Sequence, residues 1–374
     1  MTKNALVIGG GVLGSMHAWR LQKRGWAVTQ IDRDPEPRSA SVRNFGLVWV
    51  GGRRAGAELS EALQARELWD ELASEATHLS VRSNGSITIA RTAQELAVME
   101  QSMQLPDAGD RGWTFLDAQE VKKLNPALRG SFLAGLHCSL DAAVEPAHIL
   151  GDMRKQLLKS ESYRWIPNTE ILEVSERAGG VVAVDGLGKE YSADLVIVCP
   201  GADHSTLFGT ELEASPLRKV RLQMFSTEPL GEELTTSIAD GDSFRYYPAY
   251  DVPALRELPP QSPVAAAAKM QLLMVQRTDG SLTVGDTHEY DEPFDFALRE
   301  PEYDHLIEVA SDILGRRLPK VSRRWAGVYS QETEGEVCHR NLISPRITVV
   351  TGPGGRGNSL SPAIAENTLR LLGI

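Results

Sequence analysis

The chain has 374 residues, 42% of them hydrophobic and 33 of them glycine, a composition typical of a folded protein with two domains or one large domain. A minimal binding module and a disordered chain are thereby excluded. The 50 acidic residues outnumber the 39 Lys and Arg residues, and the formal net charge of −11 disfavours nucleic acid and anionic membrane surfaces as partners.

The three cysteines, Cys138, Cys199 and Cys338, are widely spaced and form no CxxC motif. They therefore indicate neither a disulfide framework nor a zinc site. The longest apolar stretches, 5–14 and 195–199, are far shorter than the ~20 residues that a membrane span needs. Three glycines within the first stretch would interrupt the apolar helix of a signal peptide. We expect a cytoplasmic protein with a mature N terminus, no membrane span and no metal.

The first predicted elements form a βαβ unit. A short apolar run over 5–8 predicts a strand that is buried on both faces. Apolar spacing over 12–24 predicts a helix that Gly25 ends, and 26–32 predicts a second strand. Together they make a supersecondary unit of about 30 residues.

A glycine motif occupies the turn of this unit. Gly9, Gly11 and Gly14 follow the GxGxxG spacing after the first strand, and Asp32 ends the second strand 18 residues after Gly14. Such glycines allow the tight turn, the approach of a pyrophosphate and close packing of helix and strand, while the acidic residue binds ribose hydroxyls. The alternative is a glycine-rich turn without a ligand. The motif alone does not distinguish NAD from FAD.

The remaining elements follow in chain order. Predicted helices cover 58–72, 93–103, 148–160, 303–314 and 362–372, and predicted strands cover 86–90, 168–176, 180–184, 194–198 and 346–351. Two further strands within 271–285 flank the turn Asp279-Gly280. Tyr246 and Tyr247 lie in a segment that we interpret as an aromatic strand.

A second glycine-rich loop lies near the C terminus, between a strand and a helix. Its residues 351–359 read TGPGGRGNS. Such a loop exposes several backbone N–H groups beside the positive end of a helix. It can hold a second electron-rich group, as an extended FAD molecule requires and a one-ended nucleotide does not. A turn without a ligand is the alternative.

These pieces together resemble the family of FAD-dependent D-amino acid, glycine and sarcosine oxidases. The resemblance covers nearly the whole chain and depends on several segments: the N-terminal glycines with Asp32, 40–46 (ASVRNFG), 144–146 (VEP), 193–202, 283–286 (TVGD), 325–327 (WAG) and 352–362. It implies an α/β fold with a Rossmann-like FAD-binding domain and a second substrate domain with a mixed antiparallel sheet. The FAD-binding domain would comprise 1–81, 145–214 and 325–374, and the substrate domain 82–144 and 215–324.

The resemblance also implies which residues bind the cofactor. The expected FAD-binding residues are Gly9, Gly11, Val12, Leu13, Gly14, Asp32, Arg33, Ser41, Arg43, Asn44, Gly46, Ile171, Gly201, Gly354, Gly355, Arg356, Gly357, Asn358 and Ser359. Residues 354–359 would face the pyrimidine edge of the flavin, and the backbone of Ile171 would contact the adenine side. A solvated loop arginine is the alternative for Arg43.

Three departures from the family pattern bear on the substrate. Tyr329 replaces the arginine that binds the substrate carboxylate in glycine and D-amino acid oxidases, and Ser359 replaces the lysine of sarcosine oxidases. Gly327 replaces the cysteine that attaches flavin covalently in monomeric sarcosine oxidases. The sequence therefore predicts non-covalent FAD and another way of holding the anionic group of the substrate.

Arginines offer the donor geometry that a carboxylate or phosphonate needs. The candidates are Arg53, Arg54, Arg245, Arg324 and Arg356, of which we favour Arg356; a surface position is the plainer interpretation of each.

Further residues are predicted to act in the substrate pocket. The predicted catalytic residues are His288, Tyr329 and Arg356, and the predicted substrate pocket adds Trp49 and Tyr246. A structural role is the alternative for His288, and simple packing is the alternative for Tyr246.

The segments 41–49 and 285–290 resemble more narrowly a branch of the family associated with phosphonate degradation. The implied reaction is oxidation of the C–N bond of a small amine or amino acid, with hydride transfer to the flavin and hydrolysis of the imine. The electron acceptor would be oxygen or an unknown carrier. The alternatives are an FAD-dependent hydroxy-acid dehydrogenase, a nicotinamide-dependent dehydrogenase, and a nucleotide-binding protein without turnover.

Overall fold

The computed structural model describes residues 2–76 and 78–374. Its strands are β1 (Asn4–Ile8), β2 (Ala27–Ile31), β3 (Leu47–Val48), β4 (Val81–Arg82), β5 (Ser86–Ala90), β6 (Trp113–Asp117), β7 (Ala134–Cys138), β8 (Ala142–Val144), β9 (Tyr163–Ile166), β10 (Ile171–Arg177), β11 (Gly180–Asp185), β12 (Glu190–Ala193), β13 (Leu195–Val198), β14 (Leu217–Pro229), β15 (Ser237–Ala239), β16 (Leu273–Gln276), β17 (Ser281–Gly285), β18 (Val321–Glu332), β19 (His339–Ser344) and β20 (Ile347–Thr351). Its helices are α1 (Val12–Lys23), α2 (Ala57–Glu75), α3 (Ala93–Ser102), α4 (Ala118–Leu124), α5 (Ile149–Leu157), α6 (Gly209–Glu213), α7 (Ser243–Tyr246), α8 (Pro263–Ala267), α9 (Glu300–Leu314) and α10 (Gly357–Leu371).

One sheet contains the predicted βαβ unit. Its strand order is β19-β20-β13-β1-β2-β9, parallel except for the pair β19 and β20. The side chains of β1 alternate between two apolar layers: Ala5 and Val7 face a core that includes α1, α2 and α10, and Leu6 faces a core shared with β10 and β11. Burial on both faces explains the continuous apolar run in the sequence.

The second large sheet is mixed. Its strand order is β18-β14-β17-β16-β15-β5-β7-β6, antiparallel except for the pair β15 and β5. Phe225 of β14 faces a core that includes α9, whereas Leu222 and Met224 face the opposite side together with Tyr329 of β18. This opposite side of β14 and β18 forms one wall of the cavity described below. The α/β class with a mixed antiparallel second sheet is confirmed.

The predicted division into FAD-binding and substrate parts stays a prediction, but one of its boundaries cuts a strand. The boundary between 324 and 325 falls inside β18, which pairs with β14 from residue 321 to residue 332. The eight-stranded sheet therefore continues to Glu332.

Tyr246 is not in a strand as predicted. It ends α7, a single helical turn, and Tyr247 follows it in extended backbone. Asp240 accepts the backbone N–H of Ser243 at 3.3 Å, and this local bond favours the turn over a strand.

The last helix begins at Gly357, five residues before the predicted start, and continues through Pro362. A proline inside a helix leaves the carbonyl four residues earlier without its usual donor. Here the carbonyl of Asn358 accepts the indole N–H of the buried Trp69 at 3.3 Å and the hydroxyl of Ser361 at 3.4 Å. These side chains allow the helix to start early.

The three cysteines are buried and free. In the part of the chain that the structure describes, each helix is too short or too polar to cross a membrane. The cytoplasmic location stays a prediction.

Candidate active site

One large cavity, with a volume of about 1350 Å³, lies between the two main sheets and the glycine-rich segments. Its wall includes the turn before α1, the loop 37–45, the end of β13 and residues 351–359. Ligand sites are commonly about 300–1,000 Å³. This cavity has room for a dinucleotide and a small substrate together.

Nearly all predicted site residues line this cavity. They are Gly9, Gly11, Val12, Leu13, Gly14, Asp32, Arg33, Ser41, Arg43, Asn44, Trp49, Ile171, Gly201, Tyr246, His288, Tyr329, Gly354, Gly355, Arg356, Gly357, Asn358 and Ser359. Gly46 does not line it. Its φ is +68°, and a Cβ there would lie 2.1 Å from the carbonyl oxygen of Val144, so this glycine allows two backbone segments to approach.

The glycines of the first turn have different roles. Gly9 has a φ of +119°, and a Cβ on Gly14 would lie only 2.0 Å from the Gly9 carbonyl oxygen. These two glycines are required by the backbone itself. A Cβ on Gly11 would have as its nearest neighbour the Ser41 hydroxyl, at 3.0 Å, and Gly11 lines the cavity at the N terminus of α1. Gly11 therefore keeps open the place where an anion would contact the helix end.

The carboxylate of Asp32 is held at the end of β2. It accepts the backbone N–H of Gly10 and, at 2.8 Å, that of Asp34. Next to it, Arg33 pairs with Asp203 at 2.7 Å and with Glu170 at 3.3 Å. Asp32 keeps lone pairs for ribose hydroxyls, whereas the Arg33 guanidinium is already paired.

The loop 40–46 is fixed by its own amide side chain. The Asn44 amide group donates to the carbonyl of Ala40 at 3.0 Å and accepts the N–H of Gly46 at 2.7 Å. Arg43 reaches across to the Ala326 carbonyl at 3.1 Å. The loop is thus tied to β18, the strand that carries Tyr329.

The C-terminal glycine loop brings a second helix N terminus to the cavity. No acidic residue lies in the first turn of α10, and no side chain caps its N terminus. The amide of Asn358 donates to the Leu47 carbonyl at 3.0 Å, while its buried Oδ1 has no partner in the described part of the chain. A free acceptor beside a positive helix end suits the N–H and carbonyl groups at a flavin's pyrimidine edge.

Arg356, the favoured arginine, is turned towards protein groups. Its Nη1 lies 3.4 Å from Glu58, its Nη2 donates to the Glu336 carbonyl at 3.0 Å, and its Nε donates to the Pro353 carbonyl at 3.2 Å. The side chain of Glu58 is only 8% exposed and also lies 3.8 Å from Arg53. This geometry leaves Arg356 few donors for a substrate.

The other arginine candidates differ in position. Arg53 is buried, which lowers the pKa of its guanidinium, and it donates to the Trp49 carbonyl at 2.8 Å. Arg245 lines the cavity but pairs with Asp242 at 3.1 Å. Arg54 lines the cavity as well. Arg324 pairs with Glu300 at 3.2 Å and is not among the lining residues.

Aromatic side chains gather opposite the C-terminal loop. The rings of Tyr246 and His288 stack with centroids 4.4 Å apart, and Tyr247 lies between Tyr246 and Trp49 at 5.0 and 5.2 Å. A Cβ on Gly355 would lie 3.6 Å from the Tyr329 hydroxyl oxygen and 3.8 Å from that of Tyr246.

Burial raises the pKa of Tyr246, Tyr247 and Tyr329. Their hydroxyls stay protonated at neutral pH and can donate into the cavity.

His288 is anchored by its backbone neighbours. Its Nδ1 lies 3.0 Å from the Lys269 carbonyl oxygen, which can only accept, so Nδ1 carries the hydrogen. Its Nε2 lies 3.7 Å from the carboxylate of Asp286, whose pKa is raised by burial. The sequence analysis included Asp286 only within the 283–286 segment and did not assign it a role. Its place directly before a predicted site histidine was the available signal.

Two cations flank Tyr290 at the solvent-exposed end of the cavity, which we call the mouth. Lys269 Nζ lies 4.2 Å and the Arg218 guanidinium 4.0 Å from the centroid of the Tyr290 ring. Neither cation forms an ion pair with a described carboxylate; Arg218 donates to the Gln331 side chain at 2.9 Å. Sequence reasoning missed this group because its members are far apart in the chain.

Comparisons with known proteins identify relatives along the whole chain. The family model described as "FAD dependent oxidoreductase" (DAO) matches residues 4–371. Glycine oxidase of Bacillus licheniformis is 22% identical over 379 residues, which cover 97% of this chain and 91% of that protein. The crystal structure of glycine oxidase from Geobacillus kaustophilus superposes with a TM-score of 0.77 at 17% identity, covering 100% of this chain and 95% of the other.

A further relative matches over a shorter length. An opine oxidase polypeptide of Agrobacterium tumefaciens (strain Ach5) is 23% identical over 235 residues, or 59% of this chain and 62% of that protein. The chain therefore spans less than two thirds of that relative's length.

Proposed function

Because the chain belongs to the DAO family of FAD dependent oxidoreductases, with FAD as its cofactor, we propose that it oxidises the C–N bond of a small amine or amino acid. The observation that carries this proposal is the single cavity that joins two uncapped helix N termini to a buried cluster of tyrosines, His288 and Asp286. The family answers the choice between FAD and a nicotinamide cofactor in favour of FAD.

The residues of the cavity fit FAD. Gly11 and the N terminus of α1 would hold the pyrophosphate, and Asp32 the ribose hydroxyls. Residues 354–359 at the N terminus of α10 would hold the flavin's pyrimidine edge. When bound, FAD accepts the hydride that leaves the substrate carbon.

The aromatic cluster would orient the substrate against that end of the cavity. Tyr246 and Tyr329 supply hydroxyl donors close to Gly355, and Trp49 and Tyr247 close the pocket against water. Excluding water strengthens each polar contact and delays hydrolysis of the imine until it is released. The overall products are a carbonyl compound and ammonia or an amine.

For the substrate itself, we propose an amine with a phosphonate group, as in the branch that the sequence resembles. Lys269 and Arg218 support this choice, since both line the cavity without a carboxylate partner among the described residues. A phosphonate carries up to two negative charges and can bind several donors at once. The relatives are named for glycine and opine oxidation, so an amino acid is the competing substrate.

The test is anaerobic reduction of the purified holoenzyme. We expect 2-aminoethylphosphonate, its N-methyl derivative or an amino acid to bleach the flavin absorbance. Lactate and other 2-hydroxy acids serve as the comparison, because an FAD-dependent hydroxy-acid dehydrogenase would respond to them instead. Bleaching by a hydroxy acid and by no amine would overturn the proposal. Reoxidation by air or by a quinone identifies the electron acceptor, which we expect to be oxygen or another carrier.

A further inference from the structure

Two buried oxygen atoms in the cavity wall lack a hydrogen-bond partner. Oδ1 of Asp286 and Oε1 of Gln271 make no hydrogen bond to any described residue, and the two residues are only 5% and 2% exposed. Both residues line the cavity. Buried polar atoms are nearly always paired in native proteins, so two free acceptors in one wall indicate that a ligand pairs them.

The fold holds these two acceptors side by side. Asp286 and Gln271 face each other where β16 and β17 meet, and the Asp286 N–H donates to the Gln271 carbonyl at 2.9 Å. The Gln271 amide N–H donates to the Tyr247 hydroxyl at 3.3 Å, which directs the amide oxygen away from that ring. Backbone pairing and the tyrosine thus fix both side chains before any ligand binds.

From this geometry we propose that Asp286 and Gln271 bind the amino group of the substrate, an assignment that rests on the proposed amine oxidation. A ligand for two acceptors must bring two hydrogen-bond donors, and a carboxylate favours a donor with positive charge. The ammonium group of a primary or secondary amine has both properties. A carboxylate or phosphonate has neither, and Asp286 would repel it.

The assignment also orients the substrate. Its nitrogen lies at the closed end, beside Asp286 and His288, and its anionic group points towards Lys269 and Arg218 at the mouth. The substrate class is therefore an amine with at least two N–H bonds in its protonated form and an anionic group at its other end. Tertiary amines, whose ammonium has one N–H, should bind poorly.

Asp286 and His288 can also take a proton from the substrate. Because Nδ1 of His288 donates to the Lys269 carbonyl, Nε2 is the free basic site, and it faces Asp286. The substrate N–H bond breaks, and the proton goes to this pair. The nitrogen keeps the electron pair, which forms the C=N bond as the hydride leaves carbon for FAD. A protonated amine has no such electron pair.

The acidic limb of the pH profile therefore reports on this pair. The other ionisable groups that face it are Tyr246, Tyr247, Tyr290, Tyr329, Lys269 and Arg53. Burial raises the pKa of each of these tyrosines above its ordinary value of 10. They stay neutral below that pH, and Arg53 stays charged.

The experiment compares holoenzyme variants Asp286→Asn and Gln271→Met with Asp251→Asn, a matched change at an exposed aspartate outside the cavity. Binding is followed by the change in absorbance of bound FAD, and turnover by anaerobic reduction. The probes are 2-aminoethylphosphonate, its N-methyl and N,N-dimethyl derivatives, and ethylphosphonate, which lacks the amine. Glycine, sarcosine, N,N-dimethylglycine and acetate form the parallel series.

We expect Asp286→Asn to raise the Kd of the amine probes roughly 10- to 100-fold, the range for loss of a charged hydrogen bond. Binding of ethylphosphonate and acetate should change less than about 2-fold, because they leave Asp286 unpaired. The reduction rate of this variant should also lose its fall at acidic pH. Gln271→Met should weaken the same probes by roughly 3- to 10-fold, since one neutral hydrogen bond is lost.

The outcomes separate this inference from the proposed function. If no amine reduces the wild-type flavin, the proposed function fails. If the wild type is reduced but Asp286→Asn matches Asp251→Asn in Kd and pH profile, the amine-binding role is wrong. Should Asp286→Asn not retain FAD, Gln271→Met decides: unchanged amine binding in that variant overturns the inference.

Discussion

The guanidinium of Arg356 lies 3.4 Å from the carboxylate of Glu58, on the first turn of α2. This contact joins the C-terminal glycine loop to the helix that carries Trp69. It also uses the arginine that the sequence alone makes the best ligand for a substrate anion. The geometry favours Lys269 and Arg218 for that task, because their charges have no carboxylate partner in the described chain.

Substitution of Gly11 by valine should abolish FAD binding. The branched side chain would displace only the Ser41 hydroxyl within the protein, so the fold should persist, but it would fill the place where the pyrophosphate meets α1. The measurement is the flavin content of the purified variant. Gly109→Val, at an exposed turn with open space around it, is the control and should keep the cofactor. A full flavin load in Gly11→Val would mean that the motif is only a structural turn.

Asp32→Ala should weaken FAD binding less than Gly11→Val does. The substitution removes the acceptor for ribose hydroxyls and for two backbone N–H groups but adds no bulk. Titration of the apoprotein with FAD would give the Kd, and we expect a rise of roughly 10- to 100-fold for lost hydrogen bonds to a charged acceptor. A loss as complete as that of Gly11→Val would contradict this order.

The flavin should be released completely by acid precipitation. Cys199 is the one cysteine among the described cavity-lining residues, and Gly327 lies where covalent attachment would need a cysteine. The measurement is flavin absorbance in the supernatant and in the pellet. Colour retained in the pellet would refute non-covalent binding.

The phosphonate proposal predicts a substrate order. Reduction by 2-aminoethylphosphonate or its N-methyl derivative should be faster than reduction by glycine, sarcosine or D-alanine. Lys269→Met should lower kcat/KM for the phosphonates roughly 10- to 100-fold, the usual loss for one charged contact. Lys123→Met, an exposed lysine outside the cavity, is the matched control. Faster reduction by one of the three amino acids would leave a general amino acid oxidase.

Asp240 should make the protein less stable as the pH rises. Burial, then the charge of Asp242, raises the pKa of Asp240 from 3.8 to about 7. Between these values the folded state binds a proton that the unfolded chain has released, so the free energy of unfolding falls as the pH rises towards 7. Urea unfolding of wild type and Asp240→Asn at pH 5 and pH 8 should show the variant gaining relative stability at the higher pH. A difference that does not change with pH would contradict the raised pKa.

Trp69→Phe should destabilise the protein by about 1–3 kcal/mol, because the carbonyls of Asn358 and Ser359 lose their indole donor at a helix start that already contains Pro362. The comparison is Trp26→Phe, a buried tryptophan whose indole donates no described hydrogen bond. Chemical denaturation measures both. Equal losses would show that packing, not the hydrogen bond, accounts for the effect.

Local features of the sequence predicted local features of the structure. The βαβ unit, its glycines and the apolar strand over 194–198 follow from patterns within a few residues of one another. The early start of α10 could not be predicted, since it depends on Trp69, 289 residues before Asn358. Lys269, Gln271 and Asp286 escaped for the same reason: each is ordinary in its own segment. Strand pairing and packing of the second sheet bring them together.

The unbroken strand β18 limits how the two sheets can move. It carries Tyr329 in the eight-stranded sheet, and three residues later the Glu332 N–H donates to the Gly352 carbonyl at 2.9 Å, beside the loop that precedes α10. A hinge that separates the sheets here would have to break this bond and the bridge between Gln331 and Pro353. We therefore expect both walls of the catalytic pocket to travel as one body during turnover, with substrate exchange through the mouth around Tyr290.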